Sequence, residues 1–212
     1  MPLIPKTKEE HIGIELECLV DKEALAKLSR FDGLTGLRNT YQQYASFLEI
    51  GTDGSIHDTP NERGLEFRLL TTPGKISQHL LILKKILVQL KARVNTSCGL
   101  HVHLDMRRGN VHQAFANLVR SQRIWLPIIR KDRWEKFHCY RTSTVDFHTQ
   151  LKLGNRYSSV NAHSYTKYKT LEVRVHQGTV SIPKIIKWVN LLRACSKSDN
   201  VSLEKHYVME VA

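Results

Sequence analysis

Residues 98–105 read CGLHVHLD, and the two-residue alternation of a strand sends His101, His103 and Asp105 to one face while Leu100, Val102 and Leu104 take the other. Two imidazoles and a carboxylate on one face can ligate a metal ion or move protons. A merely solvated strand face would as readily carry threonine or serine. Three other segments repeat the arrangement. GIELEC puts Glu15 and Glu17 on one side, LEFRL does so with Glu66 and Arg68, and LEVRVH with Glu172, Arg174 and His176, each against an aliphatic or Phe-bearing opposite side. If these segments share a sheet whose apolar face is covered by helices, ten ionisable positions collect on the remaining face.

The composition of that face argues for a site. The ten positions hold five of the chain's 20 acidic residues and none of its 17 lysines, where chance would place about one acid. Crowded carboxylates repel one another unless something positive sits among them, and in this setting the counterions are a divalent cation and the two arginines. Glu15, Glu17, Glu66, His101, His103 and Glu172 are the candidate ligands. Two histidines alone would permit zinc, but the glutamates outnumber them, which ranks Mg²⁺ or Mn²⁺ first. Arginines among metal-binding carboxylates suit a site that also holds phosphate or stabilises developing negative charge. Metal, arginine and a net charge of +12 together point to phosphoryl chemistry on ATP.

The elements that must position these groups are legible in outline. Strands are expected over 11–20, 64–71, the LHVHLD segment and LEVRVHQ, with two further short strands flanking an Asp53-Gly54 turn in 48–56. Helices are expected over 21–30, capped by Asp21, over 37–47, and over 71–94, where Ile76, Leu80, Leu83, Leu87, Leu90 and Val94 form an apolar stripe. Asn110 with Gln113 resembles a capping box for a helix over 111–122; a helical stretch over 124–137 breaks near Pro127, and Pro183 opens a last helix over 182–195. Residues 138–170 have little periodicity. At 212 residues and 41% hydrophobic, the chain is expected to form a single domain, residues 1–212, of α+β class, with a mainly antiparallel sheet.

In chain order, Gly13, Glu15 and Glu17; Asp53, Gly54 and Ser55; Glu66 and Arg68; Cys98 to His103; Arg156 and Asn161; and Thr170, Glu172, Arg174, Gly178 and Thr179 make a pattern. It resembles the amidoligase family of glutamine synthetase-like carboxylate-amine ligases, from about residue 11 to 180. The resemblance implies a curved antiparallel sheet with a metal- and ATP-binding inner face and helices outside. It implies a reaction in which ATP phosphorylates a carboxylate and an amine displaces the phosphate. By the same resemblance Glu15 and Glu17 each supply a ligand to one of two metals, and Glu66, His101 and Glu172 complete the set. His103 is either a ligand or a group that orients one. Arg174 would lie near the γ-phosphate, Arg156 near phosphate or substrate carboxylate, and Arg68 and Asn161 at the nucleotide, Asn161 being as readily a structural bond or a substrate contact. Asp53 would order the amine, or serve only its turn. The chain is far shorter than glutamine synthetase, and one metal rather than two remains open on these residues.

Other chemistries lack their carriers. The chain has no GxxxxGK[ST], GxSxG or HExxH motif. A basic nucleic-acid-binding protein or Mg²⁺-dependent nuclease is the competing reading, since carboxylates, Mg²⁺ and a basic field also serve phosphodiester cleavage; a sheet used only for binding is a third. The four widely spaced cysteines lead us to expect neither disulfides nor a zinc knuckle. An N-terminus without an uninterrupted apolar segment and the lack of a long apolar run give the expectation of a cytoplasmic protein without membrane partners. The amine and the carboxylate stay unidentified.

Overall fold

A computed structural model describes residues 8–135 and 139–202; the end of the expected 124–137 helix therefore lies outside the described residues. The described chain falls into two units, one running to Leu100 and including Gly178–Ile182, the other containing His101–Gln177 and the chain from Pro183 onward.

The first unit opens with β1 (Ile12–Asp21), whose last residue caps α1 (Lys22–Leu28): the Asp21 carboxylate accepts from the Ala24 N–H at 2.8 Å. After α2 (Gly33–Thr40) come β2 (Leu48–Gly51), β3 (Glu62–Thr71) and α3 (Ile76–Gln89). The strands lie in the order β2-β3-β1, both pairs antiparallel, and the register sets Glu15 opposite Arg68, Glu17 opposite Glu66, Glu49 opposite Arg68 and Gly51 opposite Glu66. Ile14, Leu16, Phe67 and Leu69 are fully buried on the reverse face, and Ile76, Leu80, Leu83 and Leu87 are the buried face of α3.

Three expectations need correction here. No strand follows Asp53-Gly54: residues 52–61 form a loop between β2 and β3. Ile56, expected in a strand, is instead an anchor packed with Leu19 and Cys98, while the Asp58 carboxylate accepts from the Gly64 N–H at 2.6 Å. The helix expected to reach residue 94 ends five residues earlier, because Lys91 turns left-handed (φ 49°) and the Ala92 N–H closes back on the Leu87 carbonyl at 2.8 Å. That stop frees Arg93 to exchange backbone hydrogen bonds of 2.9 and 2.8 Å with Leu19. The helix expected over 37–47 starts earlier, at Gly33, and gives way to a short 3₁₀ turn over Gln42–Tyr44.

In the second unit, β4 (Gly99–Asp105), which starts two residues before it, is followed by α4 (Val111–Arg120), α5 (Gln122–Trp125), a 3₁₀ turn at Leu126–Ile128 and α6 (Lys131–Glu135). As the sequence indicated, the Asn110 side chain caps α4, accepting from the Gln113 N–H at 3.1 Å. The aperiodic stretch holds α7 (Phe147–Leu153), β5 (Val160–Asn161) and α8 (Ser164–Tyr168), all short and missed by pattern reading; β6 (Thr170–Gln177) and α9 (Ile182–Lys197) follow. The strands run β4-β6-β5, with Asn161 opposite Glu172. Trp125 and Trp188 meet edge to face at 5.8 Å, both fully buried. The α+β class is as expected, and no described helix is long and apolar enough to cross a membrane.

A buried polar knot replaces apolar packing where residues 139–161 cross this unit. The Gln122 amide donates to the Thr142 carbonyl at 2.8 Å, its oxygen accepts from the Ser159 hydroxyl at 2.7 Å, and the Thr142 hydroxyl accepts from the Val160 N–H at 2.9 Å. Each partner satisfies another, so removing one leaves desolvated groups behind. Gln122→Leu is expected to lower stability by about 2–3 kcal/mol, read as a reduced urea midpoint at unchanged slope; a midpoint equal to that of the parent would show that the knot contributes nothing.

Candidate functional site

The first unit assembles an acid cluster. Antiparallel register places Glu17 and Glu66 side by side, and the loop anchored by Ile56 brings Asp53 to them, so that one carboxylate oxygen from each of the three lies within 4.8 Å of the others. Glu17 and Glu66 are each 3% exposed, a depth at which unpaired carboxylates are costly. Two backbone amides steady the set: the Gly99 N–H donates to Glu17 Oε2 at 2.6 Å, and the Ser55 N–H to Asp53 Oδ1 at 2.7 Å. Arg68 forms an ion pair with Glu66 and another, at 3.2 Å, with Glu49. Burial works against the Arg68 charge, yet Glu66, Glu49 and Glu15 together hold its pKa above the ordinary arginine value. Its guanidinium lies against Gly51, where a Cβ would come within 3.2 Å of Nη1, so a side chain there would press on the ion pair.

The second unit gathers another set around Glu172. Its Oε2 accepts from the Asn161 amide at 2.7 Å; its Oε1 is 3.7 Å from His101 Nδ1 and 3.6 Å from Arg174 Nη1. His103 is buried beside it on β4, with Nδ1 3.1 Å from the Thr170 hydroxyl and its ring edge-on to Tyr168. Arg174 donates from Nη1 to the Arg156 carbonyl at 3.3 Å, and its Nε is buried without a hydrogen-bond partner among the described residues. Both guanidiniums rest on one ring: Arg156 at 4.9 Å and Arg174 at 5.3 Å from the Tyr157 centroid.

Every position singled out by alternation can now be placed. Glu17, Asp53 and Glu66 converge within the first unit, with Glu15 paired to Arg68 across the strands; His101, Asn161, Glu172 and Arg174 converge within the second, with Arg156 tied to Arg174. Arg68 and Asn161, read as nucleotide contacts, both engage carboxylates. Asp105 is turned to its neighbour, in a two-pronged pair with Arg107 at 2.6 and 2.9 Å. His176 packs on Trp188 at 4.8 Å with 1% exposure, and Nδ1 donates to the Gln177 carbonyl at 2.6 Å. Sequence reading missed Glu49 and Tyr157. Glu49 shares the alternation of β2 but only the pairing register reveals Arg68 opposite it; the Tyr157 contact had no signal beyond its adjacency to Arg156. All four cysteines are buried and outside any disulfide, and burial pushes Cys139 and Cys195 up to about 11, which keeps them as thiols at neutral pH.

The donor chemistry of the first unit's cluster, three carboxylates and no thiolate or imidazole, fits a hard divalent cation such as Mg²⁺ or Mn²⁺. The orphaned Nε of Arg174 in the second fits an anionic oxygen. Residues 129–196 match the family model described as "Putative amidoligase enzyme". The matched stretch contains Arg156, Asn161, Glu172 and Arg174. No curated protein matches the chain.

Burial pushes the His176 imidazole down to about 4 from its usual 6.5, against the hydrogen bond to Gln177, with the charges of Arg133 and Lys184 acting in the same direction as burial. The folded state therefore keeps this ring neutral while the unfolded chain protonates it below 6.5. Stability from this residue is complete above that value and drains as the pH falls toward 4, by an amount on the order of 3 kcal/mol in all. Unfolding free energies of the parent and of His176→Gln, measured from pH 7.5 to 4.5, are expected to converge as the pH falls; parallel curves would show that the ring is charged in the fold.

Proposed function

We propose that the protein is an ATP-dependent carboxylate-amine ligase that forms an amide bond through an acyl-phosphate, with Mg²⁺ or Mn²⁺ as its cation and a glutamine synthetase-like catalytic architecture. One observation carries the reading: Glu17, Asp53 and Glu66 crowd within 4.8 Å of one another beside Arg68, in a chain whose residues 129–196 match an amidoligase model. The carboxylates of Glu15, Glu17 and Glu66, with Asp53 beside them, would hold a cation in the first unit. His101, His103 and Glu172 would serve as ligands in the second. A cation held there would supply charge screening of the phosphates and Lewis-acid polarisation of the terminal phosphoryl group.

The chain's own groups then have separable tasks. Arg174, already oriented by Glu172, by the Arg156 carbonyl and by the Tyr157 ring, binds phosphate and meets negative charge as it develops. Arg156 binds phosphate or the substrate carboxylate. Asn161 keeps Glu172 in one rotamer through their 2.7 Å bond, and Arg68 does the same for Glu66. Asp53 would accept a proton from an incoming amine. Activation through phosphate is required because a free carboxylate is a poor electrophile, and the acyl-phosphate expels inorganic phosphate when the amine attacks.

The test uses pooled amines and carboxylates with ATP and Mg²⁺. The expected products are ADP, inorganic phosphate and a new amide, and ¹⁸O placed in the substrate carboxylate is expected to appear in the phosphate released. Glu17→Gln and Arg174→Ala are each expected to lower turnover by about 100-fold or more with unchanged circular dichroism. Full turnover in either variant, or cleavage of DNA or RNA by Mg²⁺ and protein without ATP, would overturn the assignment.

A further inference from the structure

The chain's excess of positive charge is unevenly divided. Residues 1–100 carry 13 lysines and arginines against 12 acids, whereas residues 101–177, which lie in the second unit, carry 14 against five. An asymmetry of this kind points to an acidic partner for the second unit. Within that unit the short helix α8 sets part of the excess beside the Glu172 group. Asn161, whose amide holds Glu172, accepts at Oδ1 from the His163 N–H at 2.9 Å, where α8 begins. At the other end the Ser164 hydroxyl donates to the Thr170 carbonyl at 2.8 Å, Thr170 bonds His103, and the Tyr168 ring stands edge-on to the same imidazole.

Two lysines of this segment are held in place by aromatic rings. Tyr165 and Tyr168, three residues apart, share a face of α8, and each ring carries an ammonium: Lys169 Nζ lies 4.9 Å from the Tyr165 centroid and Lys167 Nζ 5.0 Å from that of Tyr168. Attraction to a ring places these charges without neutralising them, so less side-chain freedom is lost when a ligand binds. Both lysines are exposed, as is Arg108, and none of the three has a carboxylate partner among the described residues. The Met106 N–H donates to the Lys169 carbonyl at 2.9 Å, which brings the chain at Arg108 to the end of α8. A single-stranded nucleic acid would stack its bases on open aromatic faces, but here an ammonium covers a face of each tyrosine, with Phe147 and His103 as further neighbours of the rings. What the segment offers is a series of point charges, suited to successive carboxylates.

We infer that Lys167, Lys169 and Arg108 form a docking surface for an acidic polypeptide segment, one of whose carboxylates is the group the enzyme ligates. The inference rests on the ligase reading for the fate of that carboxylate, and its first readout is binding without ATP, which separates the two claims. Labelled hexapeptides of glutamate, aspartate, glutamine and lysine, and single-stranded and duplex oligonucleotides, are titrated into the full chain and followed by fluorescence anisotropy at rising salt. At least one acidic peptide is expected to bind, the glutamine peptide about tenfold more weakly or worse, and the acidic complex to weaken as salt rises. Lys167→Ala combined with Lys169→Ala is expected to weaken the acidic peptide about tenfold, and the corresponding pair of arginine substitutions to retain most of the affinity. Removing the same charge from α3 of the first unit, with Lys84→Ala and Lys85→Ala, is expected to change it by about twofold or less, with melting curves confirming that each variant folds. With ATP and pooled amines, the bound peptide is expected to gain the mass of an amine less water. Failure of both acidic peptides to bind, equal affinity for acidic and glutamine peptides, equal losses in the two alanine pairs, or tighter binding of an oligonucleotide overturns the inference even if ligation of a small acid is found. A bound peptide left unmodified while a small acid is ligated overturns its role as substrate. Acidic-peptide binding of the expected pattern in a protein that never turns over ATP would instead retain the docking surface and remove the ligase.

Discussion

Mutual repulsion among Glu17, Asp53 and Glu66 is the constraint around which the first unit is arranged. Carboxylate oxygens within 4.8 Å of one another repel, most strongly between the two buried members, Glu17 and Glu66. Arg68 offsets part of it through Glu66, while Glu49 and Glu15 compete for the same guanidinium. The backbone supplies the rest of what the protein itself offers: the Gly99 and Ser55 amides each hold one oxygen. Such an arrangement favours positive charge among the carboxylates, which is the place the proposed reading gives to a hard cation.

Arginine rather than lysine recurs at the points where this charge is managed, for a geometric reason. A planar fork can serve two acceptors at once, as Arg68 does with Glu49 from Nη1 and Glu66 from Nη2. The Tyr157 ring adds a further device. Two guanidiniums repel, yet each is attracted to the electron-rich face of the same ring, so Arg156 and Arg174 are held near each other without a carboxylate neutralising both. On the proposed reading, that charge serves a phosphate.

Much of the site was legible because strand alternation is strict. Glu15, Glu17, Glu66 and Arg68 share a face simply because their spacing is two, and the register of β1 on β3 then made Glu17 and Glu66 direct neighbours. The same rule overreached at strand ends. Asp105 turns to Arg107 and His176 to Trp188, since beyond the central residues the nearest partner is set by the following loop or helix. The Asp53-Gly54 turn was real as a local bend but its setting was misread: Ile56 is buried against Leu19 and Cys98 instead of extending a strand, and a short pattern cannot show that tertiary contact. Short elements such as α7 and β5 left no periodic trace because they are too brief to show one: β5 is held through the Gln122, Thr142 and Ser159 knot, and α7 by Phe147 packed on His112 and Phe115.

The Gly-Thr pair that closes the sequence pattern gains a physical meaning from the same cluster. Gly178 donates its N–H to the Cys98 carbonyl at 2.8 Å, and a Cβ at that position would come within 2.7 Å of the Cys98 Cβ and 3.1 Å of the Glu17 carbonyl oxygen. Only a residue without a side chain lets the backbone settle there. Cys98 precedes the Gly99 amide that holds Glu17 Oε2, so pressure on Cys98 would be felt at an acid of the cluster two bonded steps away. A glycine far from the glutamates in sequence thus belongs to the machinery that orients them, by leaving space where any other residue would push the supporting amide aside.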